Sequence, residues 1–337
     1  MIKSDPIILA IESSCDDTGA AVLCGRKVLS NIVAGQLVHE KYGGIVPELA
    51  SRSHQQNIVP VVHQALEKAG IKKEEIDAVA FTNGPGLLGS LLVGSSFAKA
   101  FSMAINKPLI EINHMEAHIL AHFIENENTP PNFPFICLTV SGGHTQLVKV
   151  SAPNRFEIIG ETIDDAAGEA FDKIAKIMNF PFPGGPMIDK LAKNGNANKF
   201  SFAHPKVPGL NFSFSGLKTS VLYFLKKEIA KNPNFIEENK VDLAASVQKT
   251  IIDILMQQLK KASQQNNITQ IAIAGGVSAN TGLRAALSAE SEWTSFIPKF
   301  EYCTDNAAMI GIAAYYKFMK GEFGSQSAKA NARLKMG

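Results

Sequence analysis

The sequence predicts an α/β protein made of two related lobes, and three observations lead there. An apolar strand over residues 7–11 meets the polar turn Glu12-Ser13-Ser14-Cys15-Asp16-Asp17-Thr18-Gly19 and returns over 20–23. Nearly the same design recurs in the second half, where residues 136–140 meet Ser141-Gly142-Gly143-His144-Thr145-Gln146 and return over 147–150. Between the two repeats lies Pro130-Pro131-Asn132-Phe133-Pro134, a proline-rich stretch of the kind that separates compact units. A strand, turn and strand repeated on either side of a linker implies an internal duplication, with two α/β lobes facing each other.

The remaining elements follow in order. Apolar periodicity marks helices over 51–69 and 88–105, and short apolar runs mark strands over 78–81 and 109–112. The second half continues with helices over 164–178, 215–231 and 241–264, then a strand over 271–274 that ends in glycines. The first lobe is thus predicted over 1–130, joined by a helix at about 306–320 that packs back onto it. The second lobe spans 131–305, and the polar, basic tail 321–337 is expected to be loose.

Composition narrows the function. The 337 residues are 45% apolar and 19% charged, as in a soluble globular protein of about two domains. With 33 basic against 31 acidic residues, nothing global announces nucleic acid, so any RNA contact has to come from a local patch. Cys15, Cys24, Cys137 and Cys303 form no Cys-x-x-Cys pair, which speaks against zinc knuckles and a disulfide framework and fits a reducing cytosol. The start of the chain lacks signal-peptide architecture and no apolar run is long enough to span a bilayer. A cytoplasmic protein without a membrane segment is the expectation.

The most informative segment is Ile112-Asn113-His114-Met115-Glu116-Ala117-His118. Two imidazoles four residues apart share a helix face and can reach one metal ion. A carboxylate is the usual third ligand, and Asp305 in Cys303-Thr304-Asp305-Asn306 is the best distant candidate. Two histidines and one carboxylate with open positions suit Fe(II) or zinc; two ordinary helix histidines would show the same spacing. His122 continues the series but has rotated off the face.

Three glycine-bearing turns follow apolar strands: residues 13–19, Ser141-Gly142-Gly143-His144-Thr145 and Ala274-Gly275-Gly276-Val277-Ser278-Ala279-Asn280. Such turns expose backbone N–H groups to phosphate oxygens, and three of them point to a nucleotide held in a central cleft between the lobes. By contrast Gly84-Pro85-Gly86-Leu87-Leu88-Gly89 is a decoy. It matches G-x-G-x-x-G, yet a tight turn and close helix packing explain its glycines better than a dinucleotide does, and Ser90 stands where a phosphate loop needs lysine. Asp165, Glu169 and Asp172 share a helix face that could receive ribose hydroxyls or simply be solvated. Phe182-Pro183-Gly184-Gly185-Pro186 reads as a stiff turn, and Ser215 as the N-cap of the helix that follows.

Taken together, these motifs resemble one family, the universal tRNA threonylcarbamoyladenosine transferases, in their bacterial TsaD branch. The likeness runs in order through residues 11–18, 42–54, 84–87, 114–118, 140–146, 164–173, 183–186, 212–218, 275–280 and 303–306. The resemblance implies the two-lobed fold shared with actin, hexokinase and the Hsp70 ATPase. It implies transfer of a threonylcarbamoyl group from threonylcarbamoyl-AMP to the exocyclic amine of the adenosine 3′ of the anticodon, in tRNAs reading codons that begin with adenine. By the family's pattern His114, His118 and Asp305 hold one iron ion, with zinc as a possible substitute. Thr139, Val140, Ser141, Gly142, Gly143, Asp172, Gly185, Asp189 and Asn280 contact the adenylate. Partners implied are tRNA, a TsaB-type inactive paralogue of the same fold and a TsaE-type phosphate-loop ATPase. No general base is named by the pattern; Glu12 and Asp16 lie in the right loop. The tail, residues 327–336, departs from the Arg-Pro-Arg-Trp-like ending of many relatives.

Two other enzyme classes compete. A metallopeptidase of the zincin type needs glutamate directly after the first histidine, whereas Met115 fills that place and Glu116 comes one later. An ATP-dependent kinase of the same fold would use the glycine turns but has no need of paired histidines and a distant aspartate. A non-catalytic scaffold would be free to lose both sets.

Overall fold

A computed structural model describes residues 3–337; Met1 and Ile2, the start of the predicted first lobe, lie outside the described residues. The chain divides into two compact units. One comprises residues 1–131, 151–156 and 298–337; the other comprises 132–150 and 157–297. The first break falls inside the predicted proline linker. Residues 298–305, which the sequence assigned to the second lobe, belong to the first unit, so Asp305 shares a unit with His114 and His118.

The first unit is built on a five-stranded sheet. β1 (Ile7–Glu12) pairs antiparallel with β2 (Thr18–Cys24), which pairs with β3 (Lys27–Ala34), and β1 also runs parallel to β4 (Ala78–Gly84), which borders β5 (Leu109–Asn113). β1 and β4 are nearly continuous apolar runs because helices cover the central strands. α1 (Pro47–Ala69) starts on a proline, whose missing N–H costs nothing in a first turn, and ends at Gly70 in the left-handed conformation. α2 (Leu88–Ala104) and the short α3 (His114–Leu120) follow β4 and β5. Ile11, Val22, Val62, Phe81 and Ala98 meet in the core of this unit.

The second unit repeats the plan. β6 (Phe135–Val140) pairs antiparallel with β7 (Thr145–Ala152), which borders β8 (Arg155–Glu161), and β6 runs parallel to β9 (Gln270–Ala274), which borders β10 (Thr294–Phe296). Read from the β3 and β8 edges, both sheets have one strand order, and each has a central strand antiparallel to one neighbour and parallel to the other, as an internal duplication requires. α4 (Ala167–Ile177), α5 (Gly184–Ala192), α6 (Ser215–Ile229), α7 (Phe235–Asn266) and α8 (Thr281–Ser288) complete the unit. Its core gathers Leu138, Phe171, Phe212, Leu217, Val247 and Ile273.

α9 (Ala307–Met319) packs on β1, β2 and β5 of the first unit. After it the chain does not hang loose, as the composition of 321–337 suggested. It is laid along the first unit by main-chain bonds, among them Gly324 N–H to the Leu109 carbonyl (2.7 Å) and Asn331 N–H to the Asn83 carbonyl (2.8 Å). Among the described residues no helix is long and apolar enough to cross a membrane.

Candidate functional site

β5 delivers the chain to α3 through Asn113, whose side-chain oxygen accepts from the N–H groups of Met115 (2.9 Å) and Glu116 (3.3 Å) and so caps the helix. His114 and His118 then fall on one face, their rings edge to face with centroids 4.7 Å apart. Asp305, just before α9, completes the group. Its Oδ1 lies 3.4 Å from His114 Nε2 and 3.2 Å from His118 Nε2. The ligand atoms of these three residues all lie within 4.8 Å of one another.

Behind them stands Glu12, at the end of β1. Its carboxylate is fully buried, and its Oε2 faces His114 Nδ1 at 3.2 Å. Thr82 donates to Oε2 and the Ser14 N–H donates to Oε1, each at 2.5 Å. The sequence offered Glu12 as a candidate general base. That carboxylate is sealed in the core and shared among three donors, with the Nδ1 side of His114 toward it and the Nε2 side toward Asp305. Asp16 is half-buried on the same turn and, among the contacts described, joins none of the three.

The electrostatics follow from burial and pairing. Burial opposes charge on His114, but Asp305 and Glu12 outweigh it and raise its pKa to about 10. Burial would raise both carboxylates, yet the facing imidazoles hold Glu12 and Asp305 below the ordinary range. His118, buried and beside His114, is kept low and hence neutral, and among the described residues its Nδ1 has no hydrogen-bond partner. The buried Glu12 and half-buried Asp305 carboxylates therefore already accommodate positive charge at His114, and the two imidazole Nε2 atoms converge on Asp305 Oδ1. These residues fit a divalent cation of the two-histidine, one-carboxylate type, in which the cation takes the place of the bound proton.

The residues expected to contact an adenylate all lie in the second unit: 139–143 and Asn280 at the carboxyl ends of β6 and β9, where open α/β sheets receive ligands, Asp172 on α4, and Gly185 and Asp189 on α5. Thr139 and Val140 are the buried last residues of β6, and Ser141, Gly142 and Gly143 form the turn out of it, both glycines exposed. The Ser141 carbonyl accepts from the Gly168 N–H of α4 (3.2 Å), and a side chain on Gly275 would strike the Val140 carbonyl, so the two glycine turns abut. Asp172 accepts from the N–H groups of Gly184 (2.8 Å) and Gly185 (3.2 Å), and burial, against those two bonds, raises its pKa. Asp189 accepts from the Thr281 N–H (3.1 Å) and hydroxyl (2.8 Å). Asn280 caps α8 through Leu283 N–H (2.9 Å) and donates to Gln248 (2.7 Å).

Several readings need correction. Asp165 and Glu169 are joined by Lys173, at 2.7 and 2.8 Å, in an ion-pair cluster. Ser215 is the first residue of α6 rather than its N-cap. The anchor there is Asp164, which accepts from Ser213 Oγ (2.5 Å), Phe214 N–H (2.8 Å) and Ser215 Oγ (2.7 Å). Gly184-Gly185-Pro186 begins a helix, α5, where a turn was expected. In the decoy motif the glycines do serve close approach. A Cβ on Gly84 would meet the Asn331 carbonyl oxygen at 1.9 Å, one on Gly86 the Ser14 carbonyl oxygen at 2.4 Å, and one on Gly89 Ser51 at 3.2 Å.

Fold and site define a class first: a duplicated α/β chain of the actin/hexokinase-like fold, carrying a two-histidine, one-carboxylate group in one unit and glycine turns in the other. Solved structures with this fold include HypF of T. kodakarensis (TM-score 0.60, 13% identity, 95% of this chain and 48% of that one). Component A of the (R)-2-hydroxyglutaryl-CoA dehydratase of Acidaminococcus fermentans also has it (TM-score 0.54, 16% identity, 93% and 99%). At such identities the likeness is one of fold alone. Sequence is more specific: the family model for TsaD, tRNA N6-adenosine threonylcarbamoyltransferase, matches residues 27–312. Proteins bearing that name are similar to this chain from end to end. The one from Christiangramia forsetii is 64% identical over 97% of this chain and 98% of its own length, and that from Riemerella anatipestifer 60% identical over 98% of each. The chain belongs to the tRNA N6-adenosine threonylcarbamoyltransferase family.

Proposed function

We propose that this protein transfers a threonylcarbamoyl group from threonylcarbamoyl-AMP to the exocyclic amine of the adenosine 3′ of the anticodon, in tRNAs that read codons beginning with adenine, with release of AMP. The observation that carries this reading is Asp305 Oδ1 within 3.4 Å of both imidazole Nε2 atoms, in a chain 64% identical to a protein named for the transfer.

The substrate is a mixed carbamoyl–phosphate anhydride, so AMP is a good leaving group and no further ATP is cleaved in this step. What limits the reaction is the poor nucleophilicity of an amine conjugated to a purine. His114, His118 and Asp305 would hold one metal ion, iron by the family pattern with zinc as a substitute, which when bound supplies Lewis-acid polarisation. Glu12 keeps the Nδ1 proton of His114 on the inner side of the ring and so fixes which nitrogen is offered outward. In the second unit the exposed backbone N–H groups of Gly142 and Gly143 are suited to phosphate oxygens and to charge growing on departing AMP. Asp172 and Asp189, both already held by main-chain donors, would position the ribose rather than make bonds. Glu116 is turned away from a peptidase's role, because its carboxylate accepts the Gly337 N–H at 3.2 Å. A TsaB-type paralogue and a TsaE-type ATPase are proposed as partners.

The test is reconstitution: threonine, bicarbonate, ATP, unmodified tRNA and the partner proteins, followed by mass spectrometry of digested nucleosides. The wild-type chain is expected to yield the threonylcarbamoyl nucleoside and His114→Ala none. Absence of product with the wild-type chain, while controls with an active relative succeed, overturns the reading.

A further inference from the structure

The tail beyond α9 crosses the first unit along a defined track. Gln326 Nε2 donates to Ser102 Oγ (2.9 Å), and Lys99 Nζ donates to the Ala328 carbonyl, both on α2. Asn331 N–H then reaches the Asn83 carbonyl at the end of β4, and the Gly86 N–H donates to the Ala332 carbonyl (3.2 Å). The track ends on α3. Asn113 Nδ2 donates to the Lys335 carbonyl (2.9 Å), and Glu116 Oε1 accepts from the Gly337 N–H.

Two features make this more than a passive tether. First, nearly every bond uses the tail's main chain, while the side chains of Lys329, Arg333 and Lys335 are not what holds it. Second, the receiving surface is shaped for a backbone: Gly84 has φ +150°, and a Cβ there would sit 1.9 Å from the Asn331 carbonyl oxygen. The bond from Lys335 falls on Asn113, which is 5% exposed and whose other side-chain atom caps the helix carrying both imidazoles. Tail, Asn113 and α3 thus form one hydrogen-bonded chain, and losing the tail removes the bond that holds the Asn113 amide at the start of the ligand helix.

We propose that residues 325–337 are a positioning strap for the metal-binding group: their main chain, seated over Gly84 and on Asn113, fixes the start of α3 and with it the separation of His114 and His118 from Asp305. The exposed Lys329, Arg333 and Lys335 side chains lie outside this seating, whereas Ala328 packs against the core of the first unit. The metal part of this inference rests on the reading of His114, His118 and Asp305 as ligands.

Two variants unseat the strap, a chain ending at Gly324 and the point variant Asn331→Pro, which removes the donor to Asn83. A third, with Lys329→Ala, Arg333→Ala and Lys335→Ala together, leaves the main chain intact. Zn2+ affinity is measured by competition with a chromophoric chelator, and amide exchange of Met115 to His118 is followed in the metal-free protein. Unseating is expected to weaken Zn2+ binding by about tenfold to a hundredfold, the range found when groups that orient ligands are lost, and to speed exchange in α3. The triple variant is expected to change neither. Wild-type affinity and α3 protection in both unseated variants overturn the proposal, as does a triple variant that loses as much as they do. If the full chain binds no Zn2+, the ligand reading fails, and α3 protection alone decides whether the strap positions the helix.

Discussion

His114 gathers contributions from three distant stretches of chain, and its environment shows how far single residues could be read from sequence. Its spacing to His118 was legible, because helical geometry fixes it locally. Asp305 was found only as the best carboxylate in a motif, and Glu12 only as a residue of the right loop with no role assigned. The reason is physical: β1 and α3 are joined through β4 and β5, so the Glu12–His114 contact at a separation of 102 residues leaves no periodic trace. Asn113 gave no signal either, since an asparagine before a helix reads as a cap and nothing more. The orienting role of Glu12 is open to a direct check. Glu12→Gln keeps the shape but cannot hold the Nδ1 proton as firmly, and loses the charge that stabilises His114. Its Zn2+ affinity is expected to fall about tenfold to a hundredfold with the fold retained. Unchanged affinity in chelator competition would show that Glu12 merely fills space.

At the scale of elements, strands and helices with strong apolar patterning came through, and those formed by tertiary pairing did not. β6 and α9 are self-evident apolar runs, whereas β8, with mostly exposed or half-buried side chains, and β10, three residues long, exist because a neighbour offers a ladder. α5 opens on two glycines and a proline, a composition that reads as a turn. Its start is supported from outside, by Asp172 receiving the N–H groups of Gly184 and Gly185. α6 is treated alike by Asp164. Burial is the largest single influence and opposes charge on Asp164, but the bonds from Ser213, Phe214 and Ser215 together outweigh it and lower its pKa. A carboxylate whose folded value lies below its unfolded value of about 3.9 gives stability in full above that pH and loses it as pH falls through the folded value. Asp164→Ala is therefore expected to cost about 1–2 kcal/mol in urea unfolding at neutral pH, as lost caps do. The gap between the two proteins is expected to close as pH drops below about 4. A gap independent of pH would mean that the lost contacts are steric and that the charge contributes nothing.

For the whole molecule, the duplication was the most legible property, because two strand–turn–strand repeats leave the same mark twice. The two units nevertheless differ in what they carry. The glycine turns of the second unit are local structures, complete once β6, β9 and their helices have formed. The histidine and carboxylate group of the first unit depends on β1, α3 and the segment before α9, drawn from both ends of the chain. A cation shared by His114, His118 and Asp305 would cross-link these segments and bind the folded unit only, so it stabilises by mass action. At a hundredfold excess over Kd this amounts to about 2.7 kcal/mol. For a unit of this size, about 2–4 °C per kcal/mol gives a rise of roughly 5–10 °C in its melting temperature. Calorimetry of the wild-type chain with saturating Zn2+ and with chelator is expected to show that shift. Hydrogen exchange is expected to place the added protection in β1, α3 and the start of α9 and not in α4–α8. His118→Ala should show neither effect. An equal shift in that variant would mean the cation binds elsewhere, and the strap over Gly84 would then have no metal group to position.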